Sequence, residues 1–440
     1  MAQAVIMAGG KGTRLRALTH DEIPKPMAPI AGKPILQRQI ECLRREGITD
    51  FLLITGYLGG KIEEYFGDGS RMGVRIDYYR EQQPLGTAGA LAEVADRLEE
   101  NFLLVFGDTI FDISVSRMME VHMRRQAEVT LFVHPNSHPY DSDIVLCDAS
   151  QRVCGFMSKN DERTGWYKNC VNAGFYIVSK SLCSRIRSGV KTDLEKDVLS
   201  AVAAEGGAVY AYMSPEYIKD VGTPERIAAA EEEIRNGTVA ARNLEKKQKC
   251  VFIDRDGTLN KMHGFISSPD ELELEPCAAE AVRTLNRSGY LAIVVTNQPV
   301  VARGMCSMED VRNIHRKIET LLGQQGAYLD DIFFCPHHPD KGYPEENAAY
   351  KIKCRCRKPD IGMLTEAADR YNIDLAQSWI VGDTTMDLQT GANAGTHTAL
   401  VLTGMAGEDG KYDVTPELTG ADLLDVVKKV CGDSLQNIKG

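Results

Sequence analysis

Two carboxylates separated by one residue, Asp254 and Asp256, stand where an apolar run of the sequence stops. The run Val251–Ile253 is typical of a buried strand, and Gly257 and Thr258 follow the carboxylates. A strand inside a parallel sheet delivers polar side chains in this way to the edge where ligands bind. The pair alone predicts only a cation site, because two aspartates at this spacing are common.

A glycine-rich turn near the start of the chain is a second candidate for phosphate chemistry. An apolar strand is predicted at Ala4–Met7, and the candidate residues directly after it are Gly9, Gly10, Gly12, Thr13 and Arg14. Glycines allow backbone N–H groups to approach phosphate oxygens, and an arginine adds positive charge. The alternative interpretation is an ordinary turn between a strand and a helix.

Three cysteines and one histidine form a third candidate site. Cys335 and His337 follow a predicted strand, and Cys354 and Cys356 follow a polar loop. Three thiolates and one imidazole complete a closed tetrahedral set, which predicts a structural rather than a catalytic zinc ion. The alternative is coincidental spacing. His338 is expected to be a neighbour of the metal site and not a fifth ligand.

Length and composition predict two domains in a reducing compartment. A chain of 440 residues exceeds one typical domain, and we place the domains at 1–237 and 249–440 with a polar linker at 238–248. The net charge of -11 argues against nucleic-acid and membrane-surface partners. No apolar stretch is long enough for a membrane span, and the start of the sequence lacks a signal-peptide pattern. A cytoplasmic protein is expected.

Strands alternating with helices predict an α/β fold with two doubly wound domains. The predicted elements of the first domain include a helix at Ile35–Glu46, a strand at Phe102–Asp108 that ends on a carboxylate, and a helix at Pro224–Arg235. The proline-rich segment Pro24–Pro34 between the first strand and helix is predicted to be a non-helical loop that presents Lys25.

The order of motifs in the first domain resembles the sugar-phosphate nucleotidyltransferases, and within them the heptose 1-phosphate guanylyltransferases. The resemblance rests on the glycine turn, on Glu81–Ala90, on Asp108, on Val171–Ile177 and on Asp220–Pro224. It implies a Rossmann-like domain whose glycine turn holds a nucleoside triphosphate. It further implies that Arg14 and Lys25 neutralise phosphate charge, that Asp108 and Asp220 share Mg²⁺, that Gln82 and Gly86 lie near the base, and that Asn172, Glu195 and Lys196 contact the sugar. Ser158-Lys159 stands where the family usually has Glu-Lys.

The second domain resembles the haloacid-dehalogenase phosphatases. Four motifs occur in the expected order, namely Asp254–Asp256, Leu291–Asn297, Cys356–Asp360 and Trp379–Asp383. The resemblance implies that Asp254 is the nucleophile and Asp256 the general acid and base. It also implies that Thr296 and Asn297 bind the phosphoryl group, that Lys358 offsets its charge, and that Asp383, Asp254 and the main-chain carbonyl of Asp256 hold Mg²⁺. Asp387 is interpreted as a helix-start acid in preference to a metal ligand.

The cysteine cluster narrows this resemblance to the heptose 1,7-bisphosphate phosphatases, with histidinol phosphatases as close relatives. The zinc would pin a loop that carries Arg357 beside the active site, and Arg303 would contact substrate. The family pattern Thr-Asn-Gln-Ser-Gly-Ile-Ala-Arg-Gly is changed here to Thr296-Asn-Gln-Pro-Val-Val-Ala-Arg-Gly304, so that Pro299 removes a backbone donor.

Together these resemblances predict a bifunctional enzyme of nucleotide-activated heptose synthesis, using a nucleoside triphosphate, expected to be GTP, and sugar phosphates. An oligomer formed through the first domain is possible. One alternative is a hexose 1-phosphate nucleotidyltransferase fused to a phosphatase of other specificity, such as a histidinol-phosphatase-like one. A rival of another class is a nucleotide-sugar sensor that regulates the phosphatase.

Overall fold

The computed structural model describes residues 3–10, 15, 19–20, 22–342 and 344–436, and it contains two compact units. The first unit comprises Met1–His134, Asp143–Ser158 and Cys170–Asn243. The second comprises Pro135–Ser142, Lys159–Asn169 and Leu244–Gly440. The chain passes from the first unit to the second for the last time between Asn243 and Leu244, and the domain limits predicted at 237 and 249 stay predictions. Gly12, Thr13 and Arg14 lie outside the described residues.

The strands of the first unit follow apolar stretches of the sequence. They are β1 Gln3–Met7, β2 Pro29–Ile30, β3 Lys33–Pro34, β4 Asp50–Thr55, β5 Arg75–Arg80, β6 Asn101–Phe106, β7 Thr109–Asp112, β8 Val129–His134, β9 Ile144–Cys147, β10 Val153–Met157, β11 Val171–Ser179, β12 Val209–Met213 and β13 Tyr217–Asp220. The α-helices are α1 Ile35–Arg45, α2 Gly59–Phe66, α3 Gly89–Glu93, α4 Val115–Arg125, α5 Ser200–Ala204, α6 Pro224–Arg235 and α7 Thr238–Ala241. A π-helix spans Leu194–Leu199.

A nine-stranded mixed sheet organises the first unit. Its main path runs β10-β9-β11-β6-β1-β4-β5, and β8 joins β11 to β12. Strands β6, β1, β4 and β5 are mutually parallel, whereas β11 runs antiparallel to β6. Apolar side chains from both faces of this sheet form two buried clusters, which fix the carboxyl ends of β1 and β6 side by side.

The second unit contains a six-stranded parallel sheet in the order β16-β15-β14-β17-β18-β19. Its strands are β14 Lys249–Ile253, β15 Tyr290–Asn297, β16 Asp331–Cys335, β17 Trp379–Gly382, β18 His397–Val401 and β19 Leu418–Gly420. Its helices are α8 Ala278–Ser288, α9 Met308–Gln324, α10 Gly362–Tyr371, α11 Thr385–Ala394 and α12 Leu423–Gln436. The predicted α/β class and the sheet-edge position of Asp254 are confirmed.

Two local predictions are corrected. Lys25–Met27 forms one turn of 3-10 helix inside the predicted non-helical loop, because proline is tolerated in the first helical turn, where no N–H donor is needed. The predicted linker is also not entirely solvated. Val239 of α7 and Leu244 are buried because they are apolar, whereas the charged stretch Glu245–Lys247 is exposed. No helix of the described residues combines the length and apolar character that a membrane span requires.

Candidate active sites

The glycine turn at the end of β1 is closely packed against the neighbouring strands. The Ala8 amide donates to the Ile54 carbonyl at 2.8 Å. A Cβ atom on Gly9 would lie 2.6 Å from Oε2 of Glu81, whereas one on Gly10 would meet no atom of the described residues within 4 Å. The carboxylate of Glu81 therefore packs directly against Gly9, whereas no described atom crowds Gly10.

Lys25 and two carboxylates come together beyond β6 and β13. The buried Lys25 Nζ donates to Oδ2 of Asp108 in a short ion pair. Strands β7 and β13 pair antiparallel with Asp220 opposite Thr109, and the Val221 amide donates to the Asp108 carbonyl at 2.9 Å. Asp108 thus lies in the turn just before β7 and Asp220 at the end of β13, so the pairing of these strands brings the backbones of the two predicted magnesium ligands together.

Arg226 is a part of this site that the sequence did not single out. Its Nη1 donates to Oδ2 of Asp220 at 2.6 Å from the first turn of α6, which Thr223 caps. Oδ1 of Asp220 is buried and has no hydrogen-bond partner among the described residues. An unpaired carboxylate oxygen beside Asp108 fits a divalent cation, because Mg²⁺ prefers carboxylate ligands and keeps several waters.

The predicted sugar-contacting residues are linked by a buried tyrosine. Nδ2 of Asn172 donates to the Tyr176 hydroxyl at 2.7 Å, and that hydroxyl donates to Oε1 of Glu195 at 3.1 Å. Burial raises the pKa of Glu195. Lys196, next to it in the π-helix, is exposed. Sequence reasoning assigned no role to Tyr176, although its spacing of four from Asn172 along a strand was a usable signal.

The loop that is predicted to contact the base is held in place by contacts of Leu85 and Gly86. Gly86 has φ +83°, and a Cβ there would lie 2.4 Å from the Thr192 carbonyl oxygen, so this position requires glycine. The Leu85 amide donates to Oε1 of Glu81 at 3.0 Å. Gln82 is exposed. The loop is therefore held in place while the Gln82 side chain faces solvent.

Three aspartates and one lysine form the centre of the second unit's site. Lys358 Nζ donates to Oδ1 of Asp254 at 2.7 Å, to Oδ1 of Asp387 at 2.5 Å and to the Val295 carbonyl at 3.0 Å. Carboxylate oxygens of Asp254, Asp383 and Asp387 all lie within 4.8 Å of one another. Asp254 and Asp383 directly follow the parallel strands β14 and β17, and Asp387 lies in the first turn of the helix after β17, so the sheet edge brings the three aspartates together.

Asp387 has two functions in this arrangement. Its Oδ2 accepts hydrogen bonds from the Thr384 hydroxyl and amide, which completes a capping box at the start of α11. Its Oδ1 contacts Lys358. The interpretation of Asp387 as a helix-start acid describes one of its oxygens, and the other belongs to the site.

The pKa values of Asp254 and Asp383 are raised because negative charge is crowded in a buried site, and a bound cation would stabilise that charge. Burial and the nearby charge of Asp387 raise the pKa of Asp254 to about 8, although Lys358 opposes this. Burial raises the pKa of Asp383 to about 6. Oδ1 of Asp383 is buried without a partner among the described residues, while its Oδ2 accepts from the Met405 amide at 2.7 Å. A divalent cation here would favour the ionised carboxylates, so the residues fit Mg²⁺.

Asp256 and the end of β15 complete the phosphate-facing edge. Asp256 accepts hydrogen bonds from Arg255, Asn260 and Gln298, and Coulombic attraction to Arg255 lowers its pKa against the opposing effect of burial. Thr296 is buried, and its hydroxyl accepts from Nε2 of Gln298 at 2.9 Å.

Asn297 secures the backbone of Lys358 on both sides. Its Oδ1 accepts from the Lys358 amide at 3.0 Å, and its Nδ2 donates to the Lys358 carbonyl at 3.2 Å. The structure thus gives Asn297 a contact that the sequence did not suggest, in addition to its predicted proximity to the site.

Two arginines lie beside the loop that follows β15. The Arg303 guanidinium stacks over Phe265 at 4.0 Å, and Nη1 of Arg357 donates to the His337 carbonyl at 3.2 Å. Burial lowers the pKa of Arg357, and the charge of Arg303 contributes to the lowering. In the altered family segment, Pro299 begins a turn in which its carbonyl accepts from the Arg303 amide at 2.9 Å.

The four predicted zinc ligands converge. Sulfur atoms of Cys335, Cys354 and Cys356 lie 3.2–3.5 Å apart, and Nδ1 of His337 lies 3.4 Å from Sγ of Cys356. Tetrahedral zinc with bonds of about 2.3 Å needs sulfurs roughly 3.8 Å apart, so small shifts would admit the ion. The cluster could hold zinc. His338 is outside it, and its Nδ1 accepts from the Asp340 amide at 3.2 Å.

Comparison with known proteins finds a matching family in each half of the chain. Residues 3–237 match the Nucleotidyl transferase family, and residues 355–426 match the HAD-hydrolase-like family. Mannose-1-phosphate guanylyltransferase from Mycobacterium tuberculosis is 36% identical over 224 residues, which are 50% of this chain and 61% of that protein. This chain therefore spans less than two thirds of that relative.

Two further relatives are matched along most of their length, one by each half of the chain. D-glycero-α-D-manno-heptose 1-phosphate guanylyltransferase from Aneurinibacillus thermoaerophilus is 33% identical over 235 residues, which are 53% of this chain and 99% of that protein. D-glycero-β-D-manno-heptose-1,7-bisphosphate 7-phosphatase from Escherichia coli strain K12 is 37% identical over 198 residues, which are 44% of this chain and 96% of that protein.

The folds, the two sites and these matches define a nucleotidyltransferase joined to a phosphatase of the haloacid-dehalogenase type. The chain belongs to the nucleotidyl transferase family, whose match covers more than half of it. With the second domain, it is a bifunctional enzyme, a transferase and a hydrolase.

Proposed function

We propose that this chain converts a heptose 1,7-bisphosphate into a GDP-activated heptose in two reactions at two separate sites. The proposal rests on one observation: each half of the chain, with its site, is similar to a relative named for one of the two reactions. The half that contains Asp254 and Lys358 resembles a heptose bisphosphate 7-phosphatase, and the half that contains Lys25, Asp108 and Asp220 resembles a heptose 1-phosphate guanylyltransferase. The phosphatase relative is named for a reaction that yields a heptose 1-phosphate. Apart from its anomer, this is the substrate for which the guanylyltransferase relative is named.

The phosphatase reaction removes the 7-phosphate in two displacements. A carboxylate oxygen of Asp254 attacks phosphorus, the bond from phosphorus to the sugar oxygen breaks, and Asp256 donates a proton to that oxygen. Water then attacks the aspartyl phosphate and gives a proton to Asp256, which releases orthophosphate and restores Asp254. Thr296 and Asn297 bind the phosphoryl oxygens and Lys358 offsets their charge.

A magnesium ion held by Asp254, Asp383 and the Asp256 carbonyl would supply further charge neutralisation in this reaction. Zinc held by Cys335, His337, Cys354 and Cys356 would fix the loop that carries Arg357. We assign Arg357 and Arg303 to substrate binding, because two guanidinium groups close together suit the remaining phosphate of the sugar.

The guanylyltransferase reaction needs positioning more than covalent help. An oxygen of the sugar 1-phosphate attacks the α-phosphorus of GTP, the bond to the bridging oxygen of the β-phosphate breaks, and pyrophosphate leaves. Lys25 and Arg14 neutralise the charge of the reacting phosphates, and the Gly9–Thr13 turn holds the triphosphate. Magnesium at Asp108 and Asp220 would add charge neutralisation. Gln82 and Gly86 lie toward the base, and Asn172, Glu195 and Lys196 lie toward the sugar.

The two reactions require the same anomer, because hydrolysis at C7 leaves C1 unchanged. The relatives differ on this point: the guanylyltransferase is named for the α-anomer and the phosphatase for the β-anomer. We propose the α-anomer for this chain, because the guanylyltransferase relative is named for it and the guanylyltransferase reaction consumes the 1-phosphate. The place of action is the cytoplasm, where GTP is available and zinc-binding thiols stay reduced. Association through the first unit stays a prediction.

A hexose 1-phosphate substrate is the second candidate, because the relative from Mycobacterium tuberculosis is named for mannose 1-phosphate. Assays of the purified chain with four nucleoside triphosphates against both heptose 1-phosphate anomers and mannose 1-phosphate separate the candidates. We expect the highest kcat/KM with GTP and the α-heptose. Higher kcat/KM with mannose 1-phosphate would replace the heptose proposal, and absence of pyrophosphate release would favour a nucleotide-sugar sensor.

Separate inactivation tests the two-site mechanism. Asp254→Asn removes the nucleophile and is expected to lower phosphate release on the order of 10³-fold or more, while pyrophosphate release from GTP and heptose 1-phosphate stays near the unmutated rate. Asp108→Asn is expected to do the reverse. Each variant is the other's folding control. Comparable loss of both activities in either soluble variant would contradict two independent sites.

A further inference from the structure

Arg255, between the two aspartates of the phosphatase motif, is the bulkiest fully buried side chain among the described residues. Its guanidinium forms a hydrogen-bonded ion pair with the carboxylate of Asp256. Nη2 lies 2.8 Å from both carboxylate oxygens, and Nε donates to Oδ1 at 3.0 Å. Such a planar fork fixes both the position and the plane of a carboxylate.

The other side of the guanidinium is also held. Nη1 of Arg255 lies 3.4 Å from Nε2 of His315, which is buried on α9 and packs edge-on against Phe334 with ring centroids 5.0 Å apart. Arginine can only donate, so Nε2 of His315 is the acceptor and its Nδ1 carries the proton. Burial, aided by the charge of Arg255, lowers the pKa of His315 to about 3, which keeps the imidazole neutral.

Two further donors complete the environment of Asp256. Nδ2 of Asn260 donates to Oδ1 at 3.0 Å, and Nε2 of Gln298 donates to Oδ2 at 2.9 Å. Gln298 also donates to the hydroxyl of Thr296 at 2.9 Å, which joins Asp256 to the predicted phosphate contacts. The carboxylate is thus fixed by Arg255 next to it, by Asn260 of the same segment after β14, and by Gln298 directly after β15.

Burying a guanidinium is unfavourable unless an anionic partner compensates, since each buried ion loses its hydration. An apolar residue would fill the same space without that cost. We propose that Arg255 is the positioning residue for proton transfer by Asp256, with His315 fixing the guanidinium. Arg255 is entirely buried and acts through Asp256 rather than on substrate. The inference rests on the proposed role of Asp256 as general acid and base.

The test uses the dependence of the reaction on its leaving group. A sugar alkoxide must receive a proton as the bond to phosphorus breaks, whereas p-nitrophenolate leaves without one. In the full chain, Arg255→Met is expected to lower kcat/KM for the heptose bisphosphate about 100-fold or more, and for p-nitrophenyl phosphate less than about tenfold. Because kcat/KM reports the first displacement, the ratio of its losses on the two substrates measures proton donation to the leaving group. General structural damage would lower kcat/KM for both substrates equally.

Asp256→Asn and the double variant Arg255→Met/Asp256→Asn complete the design. If Arg255 acts through Asp256, the double variant is no slower with the bisphosphate than Asp256→Asn alone. Arg255→Lys keeps the charge without the fork, is expected to give an intermediate ratio, and serves as the test if Arg255→Met does not fold. A cooperative unfolding transition above the assay temperature, followed by the fluorescence of Trp166 and Trp379 in the second unit, controls for folding.

The outcomes separate this inference from the proposed function. Leaving-group dependence in Asp256→Asn but equal losses on both substrates in the Arg255 variants, or additive losses in the double variant, would overturn the positioning role alone. Equal losses on both substrates in Asp256→Asn would instead overturn the acid role proposed for Asp256, and with it this inference.

Discussion

Lys358 is the residue on which the phosphatase site converges. It contacts Asp254, Asp387 and the end of β15 at once, and Asn297 holds its backbone from both sides. Although burial lowers the pKa of Lys358, the charges of Asp254 and Asp387 raise it. The lysine is therefore a permanent positive charge fixed beside Asp254, the proposed nucleophile, where it would favour transfer of an anionic phosphoryl group.

Tyr176 is expected to matter for sugar binding although it was not predicted from the sequence. Its hydroxyl joins Asn172 to Glu195 in a buried chain of hydrogen bonds. Tyr176→Phe leaves both partners short of one hydrogen bond, which costs about 1–3 kcal/mol. We expect kcat/KM for heptose 1-phosphate to fall roughly tenfold or more with KM for GTP unchanged.

Steady-state kinetics with each substrate varied in turn measure this effect. Tyr210→Phe is the matched control, because Tyr210 lies on β12 and packs against Arg125. Equal changes of both KM values in Tyr176→Phe would contradict a role confined to the sugar side.

The element that connects metal binding to catalysis is the short segment from Cys354 to Lys358. Cys356 and Lys358 are two residues apart. A metal bound by the cysteine cluster would therefore fix the backbone just before Lys358. Cys354→Ser leaves three strong ligands, and we expect loss of zinc together with at least about a tenfold loss of phosphatase activity. Guanylyltransferase activity should be retained.

Elemental analysis of protein purified without chelators, with both activities measured in parallel, checks this prediction. Cys277→Ser is the control, because Cys277 precedes α8 and is not one of the clustered ligands. Unmutated protein that contains no zinc would refute the structural metal site.

Helix α9 carries a buried acid whose effect on stability depends on pH. Glu319 is 7% exposed, and burial raises its pKa to about 7, with Lys168 of the same unit opposing. The folded state therefore keeps this proton at pH values where the unfolded chain, with a pKa of about 4.3, has released it. The stabilising effect of proton binding is full below the unfolded pKa and is lost as pH rises through about 7.

Glu319→Gln should remove this dependence. We expect the free energy of unfolding of the variant, relative to unmutated protein, to rise by about 1–3 kcal/mol between pH 5 and pH 8. Urea unfolding followed by tryptophan fluorescence suits the measurement, because Trp166 and Trp379, the two tryptophans of the chain, both belong to the second unit. Glu280→Gln on the exposed side of α8 is the control. If the free energies of unfolding of the variant and the unmutated protein differ by the same amount at pH 5 and pH 8, Glu319 is not a buried, protonated acid.

The elements were largely predictable from sequence, and the partners of their side chains were not. Apolar runs that stop at Asp254, Asn297 and Asp383 predicted parallel strands, because burial on both faces leaves a nearly continuous apolar pattern. Nothing in the pattern pairs Arg255 with His315, 60 residues away, since such contacts depend on the packing of α9 against the sheet. Arg226 and Tyr176 lie only six and four residues from Asp220 and Asn172, so their spacing was a local signal that the sequence reasoning did not use.

At the scale of the whole molecule, two complete sites in one chain make consecutive reactions possible without a second enzyme. The phosphatase must remove the distal phosphate and spare the anomeric one, because that phosphate is the nucleophile of the guanylyltransferase. Fusion of the two activities does not require transfer of the intermediate between sites, since diffusion through solvent gives the same products.

The most direct test of the account is a single incubation of the purified chain with D-glycero-α-D-manno-heptose 1,7-bisphosphate, GTP and Mg²⁺, followed by mass spectrometry of the products. We predict orthophosphate, pyrophosphate and GDP-heptose in equal amounts. Asp254→Asn should form GDP-heptose from heptose 1-phosphate but not from the bisphosphate. Accumulation of heptose 7-phosphate without a nucleotide sugar would show that the anomeric phosphate is removed first, and it would contradict the proposed two-step function.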